Sequence, residues 1–274
     1  MIGGLNKTSP ESFSCALTFA DTEPLVRPGA AVLNKQLYYC GGLNIKNNDK
    51  CFKNVGGNWV AVPSMNEPKH SHTMTSVGSY ILVTGGYSSI STDPAYALDS
   101  VDIFDGAVWV KLPYTLSSSR AGHCAVPVSD TEILIIGGTF GNKTLVAEKY
   151  NIFTGKITSF PSSSYRFTHA CALYNGEVYV SGGVEVSKQA VGFTDSVEVL
   201  NLETLKWRTI SPMNTIRSHH TMEVVNAELT VFGGIDGNGL ALDTIEKLVG
   251  TTWQTQTETL KVARSFHASA VIDC

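Results

Sequence analysis

The chain has 274 residues, 43% of them hydrophobic and 16% charged, with a formal net charge of −4. That balance argues against nucleic acid as the main partner. No apolar run approaches the roughly 20 residues of a membrane helix, and the N-terminus lacks the basic and apolar regions of a secretory signal.

Read along the chain, short β runs end on Gly-Gly. Such pairs recur at Gly3-Gly4, Gly41-Gly42, Gly85-Gly86, Gly137-Gly138, Gly182-Gly183 and Gly233-Gly234, spaced 38, 44, 52, 45 and 51 residues apart. Recurrence at that period in a strand-rich chain marks a repeat architecture. Glycine is needed there because the chain leaves the strand at positive φ or meets another backbone closely.

A cation-led quartet recurs ahead of five pairs and closes the chain. The copies are Arg27-Pro28-Gly29-Ala30, Lys69-His70-Ser71-His72, Arg120-Ala121-Gly122-His123, Arg166-Phe167-Thr168-His169, Arg217-Ser218-His219-His220 and Arg264-Ser265-Phe266-His267. Five carry His at the fourth place, and Ala30 replaces it in the first. After four of the glycine pairs comes an alternating segment: Val101-Asp102-Ile103-Phe104, Ala147-Glu148-Lys149-Tyr150, Val197-Glu198-Val199-Leu200 and Ile245-Glu246-Lys247-Leu248. Period-two alternation reads as a half-buried strand. Trp59, Trp109, Trp207 and Trp253 follow that third strand, with Ile157 at the place in one unit.

Each unit is four short strands that cannot bury their faces alone, so stacking around an axis is expected. Gly-Gly after the second strand, Arg-x-x-His before the first and Trp in the fourth resemble kelch repeats over the whole chain. The resemblance implies an all-β, six-bladed kelch β-propeller with four antiparallel strands per blade. It is read as one domain, residues 1–274, with blades at 263–274 plus 1–26, 27–66, 67–115, 116–162, 163–213 and 214–262. The C-terminal strand is expected to complete the N-terminal blade and close the ring. This arrangement is similar to the kelch domain of BTB-BACK-kelch ubiquitin-ligase adaptors, whose other modules are not in this sequence, so dimerisation is not expected.

Six cysteines stand at positions 15, 40, 51, 124, 171 and 274. Cys40 and Cys51 flank a glycine turn and could meet, but the expectation is reduced, small, buried side chains in a cytoplasmic protein. The glycosylation sequons at Asn6 and Asn142 are then expected to go unused.

The repeated His could suggest a metal ring. A residue repeated once per blade serves the blade, however, and each His is expected to hydrogen-bond neighbouring backbone; no metal or cofactor is expected. The repeated cation is expected to tie together loop carbonyls or an acidic group of the next blade. No G-x-S-x-G, H-E-x-x-H, P-loop or G-x-G-x-x-G motif occurs, so a noncatalytic role is expected. The alternatives are a sugar-acting, mutarotase-like propeller enzyme and a cytoskeletal or scaffold kelch protein.

The asymmetric parts are the loops. Loops after the glycine pair and turns between blades emerge on one face, where a rigid scaffold presents binding residues. The glycine-side loops at 87–98, 184–194 and 235–242 and their counterparts carry Tyr87, Tyr96, Phe140, Lys143, Glu185, Lys188, Phe193 and Asp236. The interblade turns add His70, Ser71, Tyr114, Tyr165, Phe167, His219 and Phe266. This face is expected to bind a protein partner, a ubiquitination substrate if the chain is part of an adaptor, with no nucleic-acid or membrane partner. The turns at the other end are expected to be short, with small polar or Gly residues.

Overall fold

The computed structural model describes residues 26–44, 48–138, 146–162, 164–187 and 191–272. The calls on Gly3-Gly4, Asn6, Cys15, Asn142 and Cys274 lie outside the described residues.

The described chain forms five four-stranded antiparallel sheets. The first holds β1 (Gly29–Leu33), β2 (Gln36–Cys40), β3 (Cys51–Val55) and β4 (Asn58–Val62). The second holds β5 (Thr73–Val77), β6 (Tyr80–Thr84), β7 (Val101–Phe104) and β8 (Trp109–Lys111). The third holds β9 (Cys124–Pro127), β10 (Glu132–Ile136), β11 (Val146–Asn151) and β12 (Ile157–Pro161). In the fourth, β13 (Tyr165–Phe167) precedes β14 (Ala170–Tyr174) and β15 (Glu177–Ser181). The hairpin of β16 (Val184–Val186) and β17 (Val191–Phe193) follows, and β18 (Val197–Asn201) and β19 (Lys206–Ile210) complete the sheet. Strands β13, β16 and β17 form their own three-stranded sheet, so the segment at 184–194, expected as a loop, is largely a hairpin. The fifth sheet holds β20 (Thr221–Val225), β21 (Glu228–Phe232), β22 (Ile245–Val249) and β23 (Thr252–Thr255).

Strands β1, β5, β9, β14 and β20 are neighbours around the axis. Second strands such as β6 and β10 are buried along nearly their whole length, because a neighbouring blade covers each face. Outer strands such as β4 and β19 are mostly exposed, with Trp59 or Trp207 tucked halfway in. First-to-second turns use positive φ at Asn34-Lys35, Gly78, Asn175-Gly176 and Asn226-Ala227, the geometry that matches strand twist in a tight hairpin.

The core is a series of interfaces between blades. Trp109 joins residues of the first and second sheets, Ile157 the second and third, Trp207 the third and fourth, and Trp253 the fourth and fifth. Trp59 packs with Ala268, Ala270 and Ile272, which brings the C-terminal segment against the first sheet. The indole N–H of Trp109 donates to the Pro63 carbonyl at 2.9 Å, and that of Trp207 to Pro161 at 3.1 Å. Each tryptophan therefore fastens its blade to the one before it.

Closure is visible in a ring of backbone hydrogen bonds around the axis. The amide of Arg27 donates to the Phe266 carbonyl (2.7 Å), Phe266 to His219 (3.1 Å) and His219 to Thr168 (2.9 Å). Thr168 donates to Gly122 (2.7 Å), Gly122 to Ser71 (2.9 Å) and Ser71 back to Arg27 (3.1 Å). All six residues hold φ between 54° and 62°. One residue from each of six units makes the circle, so the propeller has six blades.

Two disulfides correct the expectation of reduced cysteines. Cys40 bonds Cys51 across the β2–β3 pair, where the two are direct partners. Cys124 bonds Cys171, linking the innermost strands β9 and β14 of adjacent blades.

Candidate functional site: the ring face of the propeller

The glycine pairs explain the repeated cation and histidine. A Cβ on Gly85 would lie 2.3 Å from the Arg120 carbonyl oxygen and 2.9 Å from the His123 ring, both in the next blade. A Cβ on Gly86 would meet His72 and the His70 carbonyl of its own blade at 2.8 and 2.9 Å. The first glycine thus admits the next blade and the second its own. The second glycine's amide also donates across the interface, from Gly86 to the Arg120 carbonyl at 2.9 Å and from Gly234 to Arg264 at 2.9 Å.

The histidines sit in these joints. His123 Nε2 is 2.9 Å from Thr84 Oγ1 and His220 Nε2 is 2.8 Å from Ser181 Oγ, each in the preceding blade; His267 Nε2 is 3.1 Å from Thr221 Oγ1. Three of the five therefore meet side-chain hydroxyls rather than the backbone partners expected. Burial drives His72 and His169 down to about 3, with nearby Lys69 and Arg166 adding to the effect. Burial also holds His123, His220 and His267 well below the ordinary imidazole value. Among the described residues no three His, Cys, Asp or Glu side chains gather as a metal site.

The cations are fully buried and ion-paired. Lys69 meets Asp102 at 2.9 Å, Arg120 meets Glu148 at 3.0 Å, Arg166 meets Glu198 at 2.8 Å and Arg217 meets Glu246 at 2.5 Å. The acid belongs to the third strand of the same blade, not of the next blade as expected. That acid also accepts backbone N–H groups of the interblade segment, as Glu246 does from Asn214 (2.7 Å) and Thr215 (3.1 Å). The cation further donates to the first glycine's carbonyl, from Arg120 to Gly137 at 3.2 Å. These pairs hold each blade's entry and exit together.

The first blade departs from this scheme. Pro28, not Ala30, occupies the histidine place, since β1 starts directly after it as β5 starts after His72. Arg27 therefore stands third in its quartet, at the ring position shared by Ser71, Gly122, Thr168, His219 and Phe266. The signal was countable. The cation lies 16 or 17 residues before the first glycine in Lys69–Gly85, Arg120–Gly137, Arg166–Gly182 and Arg217–Gly233, but only 14 in Arg27–Gly41.

The ring thus has one backbone conformation and six different residues, five with side chains and Gly122 with none. They surround a cavity of about 120 Å³ at the axis, backed by the five repeated histidines. The Arg27 guanidinium lies 4.8 Å from the Phe266 ring centre, and the His219 ring packs 3.7 Å from Phe266. Burial and the charge of Arg27 hold His219 at about 3 and His70 at about 4. Sequence reasoning missed Arg27 as a member of this site.

The expected binding residues separate into groups. Ser71, His219 and Phe266 are on the ring, and Tyr165 and Phe167 are half-buried in β13 beside it. Tyr96 ends a short 3₁₀ turn, Pro94–Tyr96, and is exposed. Phe193 is half-buried in β17. Glu185 lies 3.6 Å from Arg166. Asp236 caps its own loop, accepting from the amides of Asn238 (2.9 Å) and Leu240 (2.8 Å), and those donors hold its carboxyl below the usual range.

Three expectations are corrected. Tyr87 and His70 are buried against each other, with ring centres 5.4 Å apart and mutual backbone bonds, so they pin the loop rather than face solvent. Tyr114 is exposed but packs beside Gly155, in the third-to-fourth turn of the opposite face, and its carbonyl accepts the Tyr150 hydroxyl at 2.9 Å. Phe140, Lys143 and Lys188 lie outside the described residues.

Apolar side chains stand exposed on both faces. Ile90, Tyr96, Val191 and Leu240 are exposed on the glycine-side loops. The third-to-fourth turns of the opposite face expose Val55, Val108, Phe153, Leu205 and Val249, where small polar residues were expected. The two faces differ in form: long, unequal segments on one, tight turns on the other.

A family model described as the KLHDC2/KLHL20/DRC7 Kelch-repeats domain matches residues 71–273. Beta-scruin of Limulus polyphemus is 36% identical over 84 residues, 30% of this chain and 9% of that protein. Kelch-like protein 15 of Homo sapiens is 25% identical over 207 residues, 68% of this chain and 33% of that protein. The chain therefore spans a third or less of the length of these two relatives. The solved structure of YjhT superposes with a TM-score of 0.76 at 16% identity, covering 93% of this chain and 90% of that one; this likeness concerns the fold.

Proposed function

We propose, from the premise that this chain belongs to the kelch-repeat family, that it is a noncatalytic protein-recognition module working through the face that carries the hydrogen-bonded ring. The observation that carries this reading is the ring itself. Arg27, Ser71, Gly122, Thr168, His219 and Phe266 share one backbone geometry. The fold asks only for that geometry, so the variety of side chains is free to serve binding. Around them the glycine-side segments expose Ile90, Tyr96, Val191 and Leu240. Aromatic and apolar groups rimmed by polar ones are the composition of an interface centre.

The finer reading is that the bound protein is presented to a cullin-type ubiquitin ligase. It rests on resemblance to the adaptor kelch domains and goes with a cytoplasmic chain. The disulfides Cys40–Cys51 and Cys124–Cys171 weigh against that compartment, because disulfides persist mainly in oxidising ones. Alkylation of the chain in its native compartment separates the two. Four labelled thiols at these positions support the adaptor reading, and four protected ones favour recognition outside the cytoplasm. Among the described residues no helix is long and apolar enough to cross a membrane.

The recognition reading is tested by capturing partners with the whole chain and measuring their affinity for variants. Arg27→Ala, His219→Ala and Tyr96→Ala should include changes that weaken binding by about 1 kcal/mol or more, the usual mark of an interface hot spot. Phe153→Ala and Leu205→Ala, on the opposite face, should leave it unchanged. Loss only with the second pair would move the function to the other face.

A further inference from the structure

The central channel below the ring holds a second cavity of about 420 Å³, walled by the innermost strands and the segment after His267. Its lining can be compared blade by blade. Three places after the histidine or its Pro28 equivalent stand Ala31, Thr75, Val126, Ala172, Glu223 and Ala270, all of them in the wall. Five are small and neutral, and one is a carboxylate. Glu223 is the only charged side chain among the described lining residues. A residue repeated in every blade serves the blade; a residue that breaks the row is free to serve something else.

Glu223 stands in a largely apolar part of the wall. Ser269 Oγ donates to Oε1 at 2.7 Å, and Met74, Met222, Val224 and Ala270 supply apolar wall. No basic side chain stands among the described lining residues to balance the charge. Drawing a carboxylate into apolar surroundings is unfavourable unless it is paired. In keeping with this, burial pushes the Glu223 carboxyl above its ordinary value.

We propose that this channel binds a small organic cation, a protonated amine with an apolar body, whose ammonium pairs with Glu223. One carboxylate and a few hydroxyls are too few for a calcium ion, which takes 6–8 oxygen ligands, and the described residues offer no cluster of three or more acidic or metal-ligating groups. An ammonium needs only the carboxylate and a few acceptors, and the Ser269 hydroxyl stands beside Glu223 in the wall. The thioethers of Met74 and Met222 give the apolar body a polarizable, adaptable contact. The volume falls within the range of small-molecule sites.

The test titrates the full chain with cyclohexylammonium chloride and, separately, with cyclohexanol as its neutral counterpart, followed by ligand-observed NMR. The ammonium is expected to bind at least tenfold more tightly than the alcohol, and Glu223→Gln to remove that preference while leaving the melting temperature unchanged or higher. Ala172→Leu narrows the channel without touching the carboxylate and should weaken ammonium binding in a protein that keeps its charge. No ammonium binding, equal binding of the alcohol, or full binding by the Ala172→Leu protein would each overturn the proposal. None of these readouts involves a protein partner, so they stand apart from the recognition reading.

Discussion

All seven histidines of the chain are held below the ordinary imidazole value, chiefly by burial. The folded state therefore prefers them neutral, whereas the unfolded chain takes up protons as pH falls through about 6.5. Their stabilising contribution is complete above that pH and is lost as pH falls toward their folded values, about 4 for His70 and about 3 for His72, His169 and His219. Each such histidine contributes a slope of about 1.4 kcal/mol per pH unit in that window. Thermal melts from pH 7 to pH 5 should show a steep fall in Tm; a flat profile would mean the imidazoles are solvated. At the same scale, Glu246→Gln strands Arg217, whose guanidinium burial already pulls below its usual value. Removing one partner of a buried pair costs about 3–5 kcal/mol, measurable in denaturant melts. The pairing of Arg120, Arg166 and Arg217 with third-strand acids was half legible: cation and acid both recur in the sequence, but spacing does not say that they share a blade. Arg27 was misread because an arginine at the start of a quartet looks the same as one at its third place until the distance to the glycine is counted.

Between blades, the tryptophan position decides the packing. Trp253 is almost fully buried in its interface, and Trp207 is half-buried with its N–H on Pro161. Trp253→Ala should cost about 5 kcal/mol and Trp207→Ala about 3 kcal/mol. Chemical denaturation tests the order as well as the sizes, and a cost below about 1 kcal/mol for either would place it outside the joint. The strand order was legible because the second strands are mostly apolar and the third strands alternate. The β16–β17 hairpin was not. Its residues, Val184-Glu185-Val186 and Val191-Gly192-Phe193, carry strand chemistry, but four strands per blade left them no place, and their partner β13 lies in an interblade turn. Nor was Cys124–Cys171 visible, because its cysteines lie 47 residues apart and meet only when β9 and β14 become neighbours around the axis.

For the whole molecule, closure depends on the C-terminal segment. Phe266 contributes two of the ring's hydrogen bonds, and Ala268, Ala270 and Ile272 cover the first sheet around Trp59. Deleting residues 263–274 should expose that sheet and an inner strand edge prone to pairing with other chains. The shortened protein should melt at lower temperature and aggregate; unchanged melting and solubility would show that the circle does not need this segment. A closed ring gives the molecule two unlike faces, and the central claim is that the one bearing the unequal loops and the six ring residues meets the partner. Hydrogen-exchange footprinting of the chain with its captured partner tests this most directly. The account predicts protection concentrated at 87–98, 184–194, 235–242 and the ring residues, with the third-to-fourth turns around Val55, Phe153, Leu205 and Val249 exchanging as in the free protein. Protection of those turns, with the ring face unchanged, would contradict it.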